Sequence, residues 1–242
     1  MLRTLLLDSE VGGAGKRLAC RMLMDRYVHG PQPQNNQYRM FLIETGAIAR
    51  ISQGINTGGP ILGIHSIDLR TDSGWIELGD LLEGWKHRAE QTDEEIRILL
   101  PFPSYAARTV LDGREAIVSR ILTESSTIPL WVLADRPEAV QGLASRQKHL
   151  PEVFGQGIIL RNLYTQRGFG VWDRSTVRDS LSDQWIKREM PEACDPAKRL
   201  LDTRMPDFIE RYGQLGLGWQ LAFRMWRQTF WQQLDVIETL EQ

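Results

Sequence analysis

The sequence has little cysteine, little histidine and no long apolar run, and each shortage removes a class of protein. Its two cysteines, Cys20 and Cys194, lie far apart in 242 residues. They make no disulfide framework and fit no metal-ligand spacing. The four histidines, His29, His65, His87 and His149, share no i,i+4 pair and have no cysteine neighbour, so no metal site is expected. No stretch approaches the ~20 apolar residues of a membrane span. The run over residues 2–7 is closed at once by Asp8 and is too short for a secretory signal. An excess of one charge is missing too. Lys and Arg number 29 against 31 Asp and Glu, a formal net charge of −2, so no global field draws the chain to nucleic acid or anionic lipid. A Gly-x-Ser-x-Gly hydrolase elbow does not occur. What is there is ordinary for a folded chain: 42% hydrophobic and 25% charged residues, long enough to bury a core unaided. A cytoplasmic protein with no membrane partner is expected. Eight tryptophans are unusual, and several cluster near the C-terminus.

Short apolar runs alternate with helical patterns. Residues 2–7, 38–44, 96–100, 130–134 and 157–163 read as buried strands. Helices are expected over 16–27, 73–91, 106–123, 138–149 and 175–188; the second carries Trp75, Leu78, Leu82 and Trp85 on one stripe. From Thr45 to Asp72 the chain has no clear period and no element is assigned. The last third is mostly helical and ends in a long element over 207–240, weakened near 213–218. Strands separated by such helices predict an α/β fold, a mainly parallel sheet covered on both faces with a helical C-terminal extension. The division expected is a domain over 1–205 and an extension over 206–242.

The most informative segment is Glu10-Val11-Gly12-Gly13-Ala14-Gly15-Lys16-Arg17, between the first strand and the first helix. Glycines let backbone amides encircle a phosphate, the positive end of the helix faces the same point, and Lys16 adds a full charge. The bland alternative is a tight turn whose glycines merely permit close packing. Three glycines and a lysine at the carboxyl end of the first strand favour phosphate or nucleotide binding.

Here the chain resembles the ParA/MinD branch of P-loop NTPases, whose variant loop reads Lys-Gly-Gly-x-Gly-Lys-Thr/Ser. Gly12-Gly13-Ala14-Gly15-Lys16 matches its middle. More loosely, Glu44 ends the second strand where the family carries acidic switch residues, and Leu99-Leu100-Pro101-Phe102-Pro103 stands where a hydrophobic strand runs into Asp-Thr-Pro. Asn162, in Leu160-Arg161-Asn162, falls where an asparagine contacts the base. Glu189-Met190-Pro191 also recurs near the end of such domains. Small plasmid partition, stability and mobilisation proteins are nearest in character. The resemblance implies a three-layer P-loop fold binding ATP or GTP. Gly12, Gly13, Ala14, Gly15, Lys16 and Arg17 would cradle phosphates, Asn162 would sit by the base, and Lys16 and Glu44 would serve any catalysis. It also implies a homodimer or a protein partner, and DNA bound directly or through an adaptor. The departures are as definite. Val11 replaces the family's signature lysine, Arg17 replaces the magnesium-binding hydroxyl, and Pro101 ends the strand expected to end in aspartate. Nucleotide binding survives these losses more readily than hydrolysis, and Mg2+ becomes an open requirement. A degenerate scaffold without turnover is the alternative.

Weaker signals remain. Ser9 and Ser104 flank the loop and the Pro-Phe-Pro segment. Arg161, Arg167, Arg174 and Arg178, with Trp172 among them, could form an arginine lid of a small-molecule kinase, although a solvated loop with one docked tryptophan is the simpler reading. Trp219, Ala222, Phe223, Trp226, Phe230, Ile237 and Leu240 share one helical face. Asp235, Glu238 and Glu241 make the last turns acidic, unlike a membrane-surface helix, so packing on the domain or on a second protein is expected.

Overall fold

Runs of Leu, Ile and Val too short for helices, and buried on both faces, have one stable home: the inside of a parallel sheet. The computed structural model describes residues 1–30, 38–45, 61–103, 111, 113–163, 168–181, 183–192 and 216–240. Within them seven parallel strands form one sheet: β1 (Leu2–Asp8), β2 (Tyr38–Glu44), β3 (Ile61–Ser66), β4 (Glu95–Pro101), β5 (Thr127–Leu133), β6 (Gly157–Asn162) and β7 (Trp185–Met190). Their spatial order is β3-β2-β4-β1-β5-β6-β7. The helices are α1 (Lys16–His29), α2 (Asp72–Thr92), α3 (Glu115–Glu124), α4 (Pro137–His149), α5 (Gly170–Asp173), α6 (Thr176–Ser180), α7 (Leu217–Leu234) and α8 (Val236–Thr239). The fold is α/β in three layers, as the alternation of strands and helices predicts.

From β1 the chain steps to β2 and β3 in one direction, then returns to β4 and runs through β5, β6 and β7 in the other. Right-handed crossovers place the connecting helices of these two directions on opposite faces. Accordingly α1 packs on one face, while α2, α3 and α4 share the other, where Ser119 of α3 donates to Glu152 just beyond α4 (2.9 Å). No forward crossover covers the first face over β7. Helix α7 fills that place, packing on both α1 and β7. Its Phe223, Trp226 and Phe230 are buried there, as the aromatic face of the sequence predicts, and Leu234 joins them, whereas Trp219 of the same predicted face stays 39% exposed.

Below the strand starts, α8 is clamped by charge. Arg97, 1% exposed, lies 4.1 Å from the Tyr38 ring centroid and donates to Glu95 (2.6 Å) and Glu238 (2.7 Å). Arg26 donates to Asp235 (2.8 Å) and Glu238 (3.1 Å). Burial raises the Tyr38 phenol to about 12, with the Arg97 charge opposing it.

Several elements differ from expectation. The helix expected over 175–188 does not form. After the single turn of α6 the chain becomes β7, an edge strand whose Trp185 and Met190 point into the core while Lys187 stays exposed. Charged residues at an edge blunt its unpaired backbone, and they mimic a helical pattern in sequence. Strand β3 falls in the unassigned 45–72 stretch. It is short, and a Cβ on Gly63 would meet the Phe41 ring at 3.2 Å, which stacks in turn on Trp85 (4.2 Å). Within the helix expected over 106–123, Leu111 is helical and Glu115–Glu124 form α3, with Gly113 (φ +73°) interrupting between them; 106–110 and 112 lie outside the described residues. Of the final element expected over 207–240, Leu217–Leu234 and Val236–Thr239 are helical and divide at Asp235, while 207–215 lie outside the described residues.

Candidate functional site

All seven strands point their carboxyl ends the same way. The connection of β1 leaves in one direction and that of its neighbour β5 in the other, the kind of position at which open α/β sheets take ligands. The glycine loop occupies that point. Gly12 and Gly13 form its exposed tip, and Gly13 (φ +77°) and Gly15 (φ +105°) take left-handed backbone that β-carbon residues rarely adopt. Gly15 caps α1 without a side-chain acceptor, and the first turn of the helix holds no acid. Among the described residues, the amides of Gly12, Gly13, Ala14 and Gly15 donate to no backbone carbonyl. Free amides at an uncapped helix start make a nest for an anion.

The loop is held from both sides. Asn162 ends β6, and its amide nitrogen donates to the Ala14 carbonyl (2.6 Å) in a fully buried site. A Cβ on Gly15 would lie 2.6 Å from that nitrogen. Asn162 is therefore placed as a positioning residue beneath the loop. On the other side Asp8, 1% exposed, accepts from the Ser9 amide (2.7 Å) and from Arg146 Nε of α4 (2.8 Å). Arg146 also reaches Glu10 (3.3 Å), whose side chain lies directly over Gly142 of the same helix. Arg146 is the residue that sequence reasoning missed. A lone arginine late in a helix carries no motif, and only the fold brings it to the end of β1.

Lys16 folds back across the loop, its ammonium donating to the carbonyls of Ser9 (3.0 Å) and Phe102 (2.8 Å). Burial lowers its pKa from 10.5 to about 8, the Asp8 carboxylate opposing the shift. The unfolded chain thus holds this proton more tightly, and the group adds stability as pH rises from about 8 to 10.5. For an anionic ligand the order reverses, because the site loses its cation. Affinity for a polyphosphate is expected to fall by up to about tenfold per pH unit above 8, with proton uptake on binding. Calorimetry in buffers of different ionisation enthalpy measures both; a flat profile from pH 7 to 9.5 would remove Lys16 from the ligand.

Arg17, half buried, follows in the first turn of α1. Glu44 ends β2, two strands from β1 and so roughly 10 Å to the side. It is buried, and the register through β4 sets it level with Leu7. Ser9 is wholly buried, and its hydroxyl has no hydrogen-bond partner among the described residues. Lys16, Arg17 and Ser9 are thus brought together around the glycines. Glu44 stands apart and Asn162 lies underneath.

The other candidates are engaged elsewhere. Trp172 is buried, and Asp135 accepts from its amide and that of Val171. Arg161 pairs with Glu189, Arg174 bonds the Gly170 carbonyl and Arg178 the Asp173 carbonyl. Such local pairing gives an arginine lid no support; Arg167, Ser104 and Cys194 lie outside the described residues. Among the described residues no group of three or more His, Cys, Asp or Glu could hold a metal ion, and no helix is long and apolar enough to cross a membrane. Compared with known proteins, the chain matches no family model, and no curated protein is significantly similar to it.

Proposed function

We propose that the chain is a nucleotide-binding protein of ParA/MinD character, working in the cytoplasm as an accessory factor in plasmid partition, stability or transfer. It binds ATP or GTP at the glycine loop and hydrolyses it weakly or not at all. The carrying observation is the loop itself: amides that donate to no backbone carbonyl among the described residues, two left-handed glycines and Lys16, at a point beside β1 where the sheet's connections diverge. Bound phosphate would order the loop and bias contact with a second copy or another protein, and DNA would be reached directly or through that adaptor. Weak hydrolysis follows from Arg17 and Pro101, which leave phosphoryl transfer without two of its usual parts.

Titration with fluorescent ATP and GTP in magnesium buffer tests the reading. Micromolar binding is expected, weakened at least about tenfold in Lys16→Ala, because a charge-assisted bond contributes about 1.5–3 kcal/mol. Binding indifferent to Lys16 would sink it.

A specific observation favours a second reading, a scaffold without nucleotide. The Lys16 ammonium already has two carbonyl partners, and Asp8 and Glu10 bring negative charge to the loop. Partner binding unchanged by nucleotide and by Lys16→Ala would select it.

A further inference from the structure

The ParA/MinD resemblance implies Mg2+ beside the phosphates, and the residues present do not fit that ion. A magnesium site needs oxygen donors in near-octahedral array, beginning with a hydroxyl after the loop lysine and an acid at the end of the neighbouring strand. Arg17 occupies the first place and donates no oxygen. At the second, β4 ends in Pro101, whose carbonyl already accepts from Thr45 Oγ1 (2.8 Å), while the next carbonyl, that of Phe102, holds Lys16 (2.8 Å). The acid nearest the loop, Asp8, has both carboxylate oxygens engaged, one by the Ser9 amide and one by Arg146. Glu10 pairs with the same arginine. Glu44 is displaced by two strands, and a single carboxylate makes no octahedral cage.

Toward an anion the same residues fit well. Two cations, Lys16 and Arg17, open a helix that has no acid in its first turn, and the helix dipole favours an anion in front of the same point. The loop amides are unpaired, and the buried Ser9 hydroxyl adds a donor without a partner among the described residues. We propose that this loop binds its polyphosphate without a divalent cation, with Arg17 taking the place of the metal charge. The inference rests on the nucleotide reading and narrows it to the metal-free nucleoside polyphosphate.

ATP is titrated into the full chain by calorimetry, once in millimolar Mg2+ and once in EDTA, for the natural protein and for Arg17→Thr. Dissociation constants within about threefold of each other in the two buffers are expected for the natural protein. Arg17→Thr, which removes a cation, is expected to bind about tenfold more weakly in EDTA and, with the other oxygen donors still missing, to stay within about threefold of that in Mg2+. A cooperative melt of the variant, close to that of the natural protein, confirms that it is folded. Binding by the natural protein only in Mg2+ overturns the inference and leaves the nucleotide reading standing. Unchanged binding of Arg17→Thr in EDTA overturns the role of Arg17. No binding in either buffer overturns the nucleotide reading itself.

Discussion

A chain ended after residue 215 is expected not to reach the folded state. Helices α7 and α8 bury Phe223, Trp226, Phe230, Leu234, Val236 and Ile237. At about 1.5–3 kcal/mol for each large side chain, the loss is on the order of 10 kcal/mol, an upper figure because the unfolded chain already hides some of this area. Whole domains of this kind are stable by only about 5–15 kcal/mol. The truncation also strips Arg97 and Arg26, both nearly inaccessible, of Glu238 and Asp235. Uncompensated buried charge adds its own penalty. Far-ultraviolet circular dichroism, dye binding and gel filtration of the shortened chain measure the result. A cooperative melt within a few degrees of the full chain would make the C-terminal segment an appendage instead of the missing part of a layer.

The second large effect is expected at Asp8. Replacing it by alanine leaves the Arg146 guanidinium, with 3% side-chain exposure, facing only the more distant Glu10. Breaking a buried pair from one side costs about 3–5 kcal/mol. For a chain of this size each kcal/mol lowers the melting temperature by about 2–4 °C, so a drop of roughly 10 °C is expected. The paired change Asp8→Leu with Arg146→Met should recover much of that loss, because two apolar side chains need no mutual desolvation. Thermal melts of the three variants decide it; a fall of under about 1 kcal/mol in Asp8→Ala would mean that Arg146 reaches water.

The core strands β1, β2, β4, β5 and β6 were legible because double-sided burial writes itself as uninterrupted Leu, Ile and Val, with Pro or Gly at the ends. Helix α2 was legible for the matching reason, a stripe of Trp75, Leu78, Leu82 and Trp85, all buried. The edges were not. Gly63 in β3 exists to admit the Phe41 ring, and Lys187 and Arg188 in β7 defend an open edge, so both strands lack the local signal that marks a buried one. The glycine loop was visible as a motif because its backbone angles demand glycine. Of its supports, Asn162 was singled out only as a base contact through the resemblance and Arg146 not at all, since Asn162, Arg146 and the Phe102 carbonyl make their bonds across 148, 138 and 86 residues respectively. No window on the sequence contains such pairings.

The packing of α7 on α1 has a consequence for how the molecule is made. The two helices lie roughly 190 residues apart, about ten to forty seconds of synthesis at ordinary ribosomal speed. The clasp of Arg26 on Asp235 spans 209 residues, and that of Arg97 on Glu238 spans 141. By the end of that interval the glycine loop, the first helix and the seven strands have been made, while the face of α1 that α7 covers is still bare. The nascent chain therefore carries its glycine loop before it owns a finished core, and the face of its first helix is covered only once α7 has been made.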